Sequence, residues 1–145
     1  MDIGDYTDTS VSALRDALAA AEEVSRELTV ADQKIISDAA YKLMMATSGL
    51  TLKPADVSAL NDLIAKRTQE VADAKEYCLY TEASIARVET AIENATAVAN
   101  AGYSIKEQSK VDDAYNALNG VALEKQLADY SKLNAARNSV ADLQE

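Results

Sequence analysis

The chain contains no histidine, no tryptophan and no phenylalanine, and it has one cysteine (Cys78), one proline (Pro54) and four glycines in 145 residues. Each shortage removes a class of protein. A single cysteine allows no internal disulfide, and without histidine the usual zinc clusters and nucleophile–base pairs cannot be assembled. So few glycines and prolines leave an all-β chain without the turn residues it needs. The glycines lie far apart, so there is no Gly-rich phosphate loop, and nothing matches the alternating Asp and Asn pattern of an EF-hand. No run approaches 18 apolar residues, so no segment reads as a bilayer span. Cys78 itself reads as a small residue tucked at the end of a helix.

Positive charge is also scarce. Lysine and arginine total 14 against 24 aspartates and glutamates, a net charge of -10 and a pI near 4.4. Such a surface repels phosphate backbones and anionic headgroups, so nucleic acid and membranes are poor partners for it. The N-terminus, Met1-Asp2-Ile3-Gly4-Asp5, lacks the basic and apolar regions of a signal peptide. An exported parent protein would therefore carry this chain as an internal piece.

The chain does have small aliphatic residues in helical register. Hydrophobic content is 48%, supplied mainly by Ala, Leu, Ile and Val, which suits closely packed helices. The register also repeats. Tyr6-Thr7-Asp8-Thr9-Ser10 returns 74 residues later as Tyr80-Thr81-Glu82-Ala83-Ser84. At that offset Val11, Leu14 and Leu18 meet Ile85, Val88 and Ile92, at spacings that trace one face of a helix. We denote this segment helix B. A second helix, C, follows in each copy after a one-residue shift. Gln33, Ile36, Asp38, Ala39, Leu43 and Ala46 meet Gln108, Val111, Asp113, Ala114, Leu118 and Val121. Each copy of helix C opens with a capping pair, Thr29 with Asp32 and Ser104 with Glu107. In such a pair the hydroxyl can accept from a first-turn N–H while the carboxylate reaches back. A third helix, A, begins at Ala55-Asp56-Val57-Ser58-Ala59-Leu60-Asn61 and again at Ala128-Asp129-Tyr130-Ser131-Lys132-Leu133-Asn134. Pro54 is placed as an early residue of the first copy. The second continues through Leu133, Ala136, Val140 and Leu143.

These segments predict an all-α chain of tandem three-helix bundles in the order B-C-A-B-C-A. Two divisions are open. The bundles are 1–78 and 79–145, or a complete A-B-C unit spans 54–125 between partial ones. Pro54, with Gly49 before it, breaks the first C-to-A junction. With neither residue between Val121 and Leu133, the second junction can run as one continuous helix.

The Tyr-Thr-x-x-Ser opening of helix B, the run Ala17-Leu18-Ala19-Ala20-Ala21, Val111-Asp112-Asp113-Ala114-Tyr115-Asn116-Ala117-Leu118, and Leu60-Asn61-Asp62-Leu63-Ile64 together resemble the FIVAR repeat (found in various architectures). The resemblance runs from about Tyr6 to Leu143. It departs in the first helix C, where Ser37 and Ala40 stand opposite Asp112 and Tyr115. The resemblance implies three-helix bundles repeated in exported proteins of Gram-positive bacteria. These include giant cell-wall adhesins that attach to host matrix proteins, and multimodular carbohydrate-active enzymes in which the repeat is an accessory module. It implies no catalytic, metal or cofactor residues.

The residues themselves point the same way. Glu22-Glu23 and Asp112-Asp113 are adjacent on helices, about 100° apart, and read as solvated faces and not as an acid–base pair. Of the seven tyrosines, Tyr6 and Tyr80 fit a staple at the start of helix B, and Tyr115 falls at the edge of the helix C core stripe. Met44 and Met45 read as core filling. Tyr103 and Tyr130 are the candidate partner-binding residues, since exposed tyrosines anchor proteins or stack on sugars. Core positions agree between the copies, whereas Arg15 meets Glu89 and Glu22 meets Thr96. A preserved core under a diverging surface is what a non-catalytic spacer or stalk requires, in contact with neighbouring repeats of its parent chain. The second reading is an adhesion module for a host matrix or scaffold protein, and the third is carbohydrate binding through tyrosines.

Overall fold

A computed structural model describes residues 2–24 and 28–141. Among these residues the regular structure is six α-helices. They are α1 Asp8–Glu22, α2 Gln33–Ser48, α3 Ser58–Tyr77, α4 Glu82–Ala99, α5 Gln108–Gly120 and α6 Ser131–Ala141. Helices α1 and α4 fall on the two B segments, α2 and α5 on the C segments, and α3 and α6 on the A segments. No strand occurs among the described residues, which carry only isolated antiparallel bridges. The all-α reading is therefore correct. Leu143, expected to continue the second helix A, lies outside the described residues.

The helix starts follow from local chemistry. Thr7 holds the N-cap of α1 in an extended conformation. The capping pairs before α2 and α5 are present, each opening with a 3-10 turn. Asp32 accepts from the Thr29 N–H at 3.1 Å and from its hydroxyl at 2.9 Å. Glu107 accepts from the Ser104 N–H at 3.3 Å and from its hydroxyl at 3.1 Å. Helix α3 starts at Ser58 and not at Pro54. The side chain of Asp56 accepts from the Ser58 N–H at 2.9 Å, and Asp129 treats Ser131 alike at 2.8 Å. Pro54 instead forms an extended bridge with Ser104.

The chain divides into two compact units, one of residues 1–58 and 98–113, the other of 59–97 and 114–145. In the first, α1 packs on α2, but α2 buries none of its residues. Its buried apolar side chains are Val11, Ala55 and Val111. In the second, Val71 and Ala74 of α3 cluster with Ile85 and Val88 of α4, with Tyr80, Ile92, Val121 and Leu123 packed against them. Leu60, Leu63, Ala95 and Leu118 are also buried there.

Three further expectations are corrected. The second C-to-A junction is not a continuous helix, because α5 stops at Gly120 and α6 begins at Ser131. The backbone between them is engaged elsewhere, with Glu124 accepting from Thr81 and Gln126 donating to Leu79. Met44 and Met45 are more than half exposed and fill no core, since α2 is covered on one side only. Cys78 stands at a helix end as expected but is exposed, not tucked in, and takes a left-handed φ of 50°. That conformation ends α3, and it costs an L-residue with a Cβ what it would not cost glycine.

Candidate interaction surfaces

Each copy of the repeat builds the same backbone clasp at the start of its helix B. In the first, Tyr6 bridges Leu52, Thr7 N–H donates to Thr51 at 2.8 Å and Lys53 N–H donates to Asp5 at 2.8 Å. In the second, Tyr80 bridges Lys125, Thr81 N–H donates to Glu124 at 2.9 Å and Gln126 N–H donates to Leu79 at 2.8 Å. The serine one turn into each helix repeats too, since Ser10 and Ser84 donate to the carbonyls of Thr7 and Thr81 at 3.0 and 2.9 Å. Ser84 is fully buried and satisfied. Both clasps bring an extended segment that follows helix C back to helix B, satisfying backbone groups that no helix serves.

A different joint ties the start of the first helix A segment to the loop before α5. Around the Pro54–Ser104 bridge, Ala55 N–H donates to Tyr103 and Ile105 N–H donates to Lys53, both at 2.8 Å. Gln108 closes it with two bonds to the backbone of Asp56. Its carbonyl oxygen Oε1 accepts from the Asp56 N–H at 2.7 Å, and its Nε2 donates to the Asp56 carbonyl at 3.0 Å.

The tyrosines distribute around these joints. Tyr80 packs on the core cluster beneath its clasp, as a staple does. Tyr6 is half-buried, with Lys106 Nζ 5.7 Å from its ring centroid. Tyr115 is half-buried at the core edge. Of the two candidate partner residues, Tyr103 is half-buried in the first unit. Its ring lies under Lys110 Nζ at 4.4 Å and its carbonyl serves the joint. Tyr130 belongs to the second unit and is well exposed just before α6. Sequence reasoning missed Tyr77 and Leu79, both exposed, which rim a shallow groove of about 470 Å³ with Asp73 and Glu70. It placed Ile36 on the apolar stripe of helix C, but Ile36 is exposed on α2, as are Ile35, Tyr41 and Met44.

Electrostatically the carboxylates that titrate abnormally are the caps. Asp32 is held below its ordinary value by hydrogen bonds from the Thr29 backbone and hydroxyl. Asp56 is lowered by Ser58, and Asp129 by Ser131. Glu107 is lowered first by its bond from Lys110, at 2.8 Å, and then by Ser104. These hydrogen bonds serve the starts of helices. Among the described residues, no group of three or more His, Cys, Asp or Glu side chains is placed to hold a metal ion. No helix among them is long and apolar enough to cross a membrane.

The family model described as FIVAR domain matches residues 2–51 and 56–125. No curated protein and no solved structure matches the chain.

Proposed function

The chain belongs to the FIVAR domain family, and from that premise we propose that it is a non-catalytic spacer module of a larger bacterial cell-surface or secreted protein. Its working form is a tandem of three-helix repeats. The complete unit is α3 with α4 and α5, and the unbroken family match over 56–125 supports this division. The observation that carries the spacer reading is the duplicated clasp. Its three main-chain pairings recur at the same places in both copies, while the side chains around them diverge, Leu52 answering to Lys125 and Thr51 to Glu124. A module whose task is to hold two neighbours apart needs reproducible joints and a soluble surface, and it needs no surface chemistry common to every copy. The net charge of -10 supplies the solubility.

A second reading, adhesion to a host matrix or scaffold protein, is favoured by the exposure of Tyr130. Solid-phase binding of the chain to a panel of matrix proteins and glycans, with a salt titration, separates the two. The spacer reading expects no saturable binding from a chain shown by circular dichroism to be folded. Saturable binding to one protein that weakens with salt overturns it in favour of adhesion, because an acidic module docks on a basic patch. Saturable glycan binding overturns it in favour of carbohydrate recognition.

A further inference from the structure

Of the seven asparagines in the chain, Asn119 alone is followed by glycine. The Asn119–Gly120 pair ends α5, and both residues are exposed. Gly120 borders an open groove of about 620 Å³, lined also by Ala86, Thr90 and Asn94 of α4, and no atom lies within 4 Å of where its Cβ would stand. No side chain at 120 therefore shields the main-chain nitrogen. In the first copy Met44-Met45 hold these two positions, so the pair belongs to the second copy alone.

The fold grips this pair from both sides. Arg67 Nη2 donates to the Asn119 carbonyl at 3.0 Å and to the Val121 carbonyl at 2.9 Å, and Glu70 tethers the guanidinium. Within a helix an amide N–H points along the axis toward a carbonyl one turn back. The Gly120 nitrogen meets the Asn119 side chain only when that last turn opens, and helix ends open more readily than interiors. The bonds from Arg67 oppose the opening.

We propose that Asn119–Gly120 is a self-modification site, with water as the only co-reactant, and that Arg67 sets its rate by holding the turn closed. When the turn opens, the Gly120 nitrogen gives its proton to solvent and attacks Asn119 Cγ. The new Cγ–N bond replaces the Cγ–Nδ2 bond, and the amide nitrogen takes a proton from solvent and leaves as ammonia. Water then adds to one of the two carbonyls of the cyclic imide and opens it. One opening gives aspartate, and the other gives isoaspartate, whose main chain runs through the former side chain. Either product adds a negative charge to a chain already at -10. Isoaspartate also lengthens the backbone before Gly120, so the two carbonyls no longer match Arg67 and the end of α5 is released irreversibly. This chemistry is independent of whether the module acts as spacer or adhesin.

Incubation of the full chain in warm, mildly alkaline buffer, followed by peptide mapping by mass spectrometry, tests it. Acid in place of amide is expected at Asn119 and not at the remaining asparagines, more slowly in the folded chain than in urea. Gly120→Ala sets a methyl group beside the nitrogen without meeting a neighbour, and is expected to slow conversion by about tenfold or more in either state. Arg67→Met is expected to speed conversion of the folded chain by roughly tenfold, the worth of hydrogen bonds to a charged group, and to change nothing in urea. Val88→Ala opens a cavity in the core of the same unit with Arg67 in place, and is expected to leave the rate near that of the wild type. The isoaspartate form, isolated by ion exchange, is expected to unfold at a lower urea concentration than its parent. A folded wild type that never converts at Asn119, conversion spread over other asparagines, or a rate untouched by Gly120→Ala would each overturn the proposal. So would an Arg67→Met rate equal to that of the wild type, equal acceleration by Val88→Ala, or an isoaspartate form as stable as its parent.

Discussion

The guanidinium of Arg67 donates to the main-chain carbonyl of Asn119 at 3.0 Å, and the same Nη2 also reaches the carbonyl of Val121 at 2.9 Å. Its other terminal nitrogen binds Glu70 at 2.8 Å, and the side chain is only 15% exposed. A cation on carbonyls at the end of α5 satisfies groups that the helix leaves without partners, and its charge complements the helix dipole. This side chain therefore fixes where α5 stops.

Arg67→Met keeps much of the packing volume and deletes the bonds. It is expected to destabilise the fold by about 2 kcal/mol, the range for hydrogen bonds to a charged group. Urea denaturation reads this as a lower midpoint at unchanged slope. An unchanged midpoint would show that water serves those carbonyls equally well.

Leu118 and Leu43 are the same residue at the same place in two copies, one buried and the other half-buried. Leu118→Ala is expected to cost about 2–5 kcal/mol through lost burial and the cavity left behind. Leu43→Ala is expected to cost less than about half as much. Equal costs in parallel denaturation curves would mean that α2 is covered as fully as α5.

Cys78 sits at φ 50° on an exposed turn. Glycine adopts that conformation without the Cβ clash, so Cys78→Gly is expected to raise stability by up to about 1 kcal/mol, net of its greater unfolded-state entropy. Cys78→Val is expected to lower it by at least about 1 kcal/mol, since β-branching tolerates positive φ worst. Thermal melts of the two variants should bracket the wild type, and the reverse order would refute the assignment.

Acid sensitivity follows from the caps. Asp32, Asp56, Glu107 and Asp129 all have folded-state pKa values below their ordinary ones. A depressed carboxylate contributes its stabilisation in full above its unfolded pKa and loses it as pH falls through the folded one. Stability should therefore be flat near neutrality and begin to fall near pH 4.5, the ordinary value for glutamate. The decline should continue below 3.8, the ordinary value for aspartate. Glu107→Gln should shrink that decline. Denaturation midpoints at a series of pH values check this, and an identical acid limb in the variant would exclude Glu107 as a contributor.

Most of the local structure is legible in the sequence because it rests on short-range chemistry. The Thr29–Asp32 and Ser104–Glu107 pairs span one turn each, and their bonds form wherever a helix starts. The offset between Tyr6 and Tyr80 likewise places the second helix B, since a repeated pattern of side chains repeats the helix it encodes. The clasps are not legible in this way. Tyr6 meets Leu52 and Tyr80 meets Lys125 far along the chain, through segments too short to carry a periodicity. The same reason defeats the expectation of a continuous helix after Val121. No proline or glycine interrupts that stretch, but its backbone is drawn into the clasp with Leu79 and Thr81. Tyr103 and Tyr130 stand out as aromatic residues, yet which of them a lysine covers is a matter of tertiary placement.

By itself the sequence determined an all-helical chain, its division into repeated B, C and A segments, and the capping pairs that open each helix C. Spacing and capping depend on neighbours within a turn or two. Only the tertiary structure decided which apolar stripes become core. Ile36 and Val111 carry the same instruction, and one is exposed while the other is buried. Burial is a property of what lies opposite a side chain, and the local spacing of a helix does not contain it.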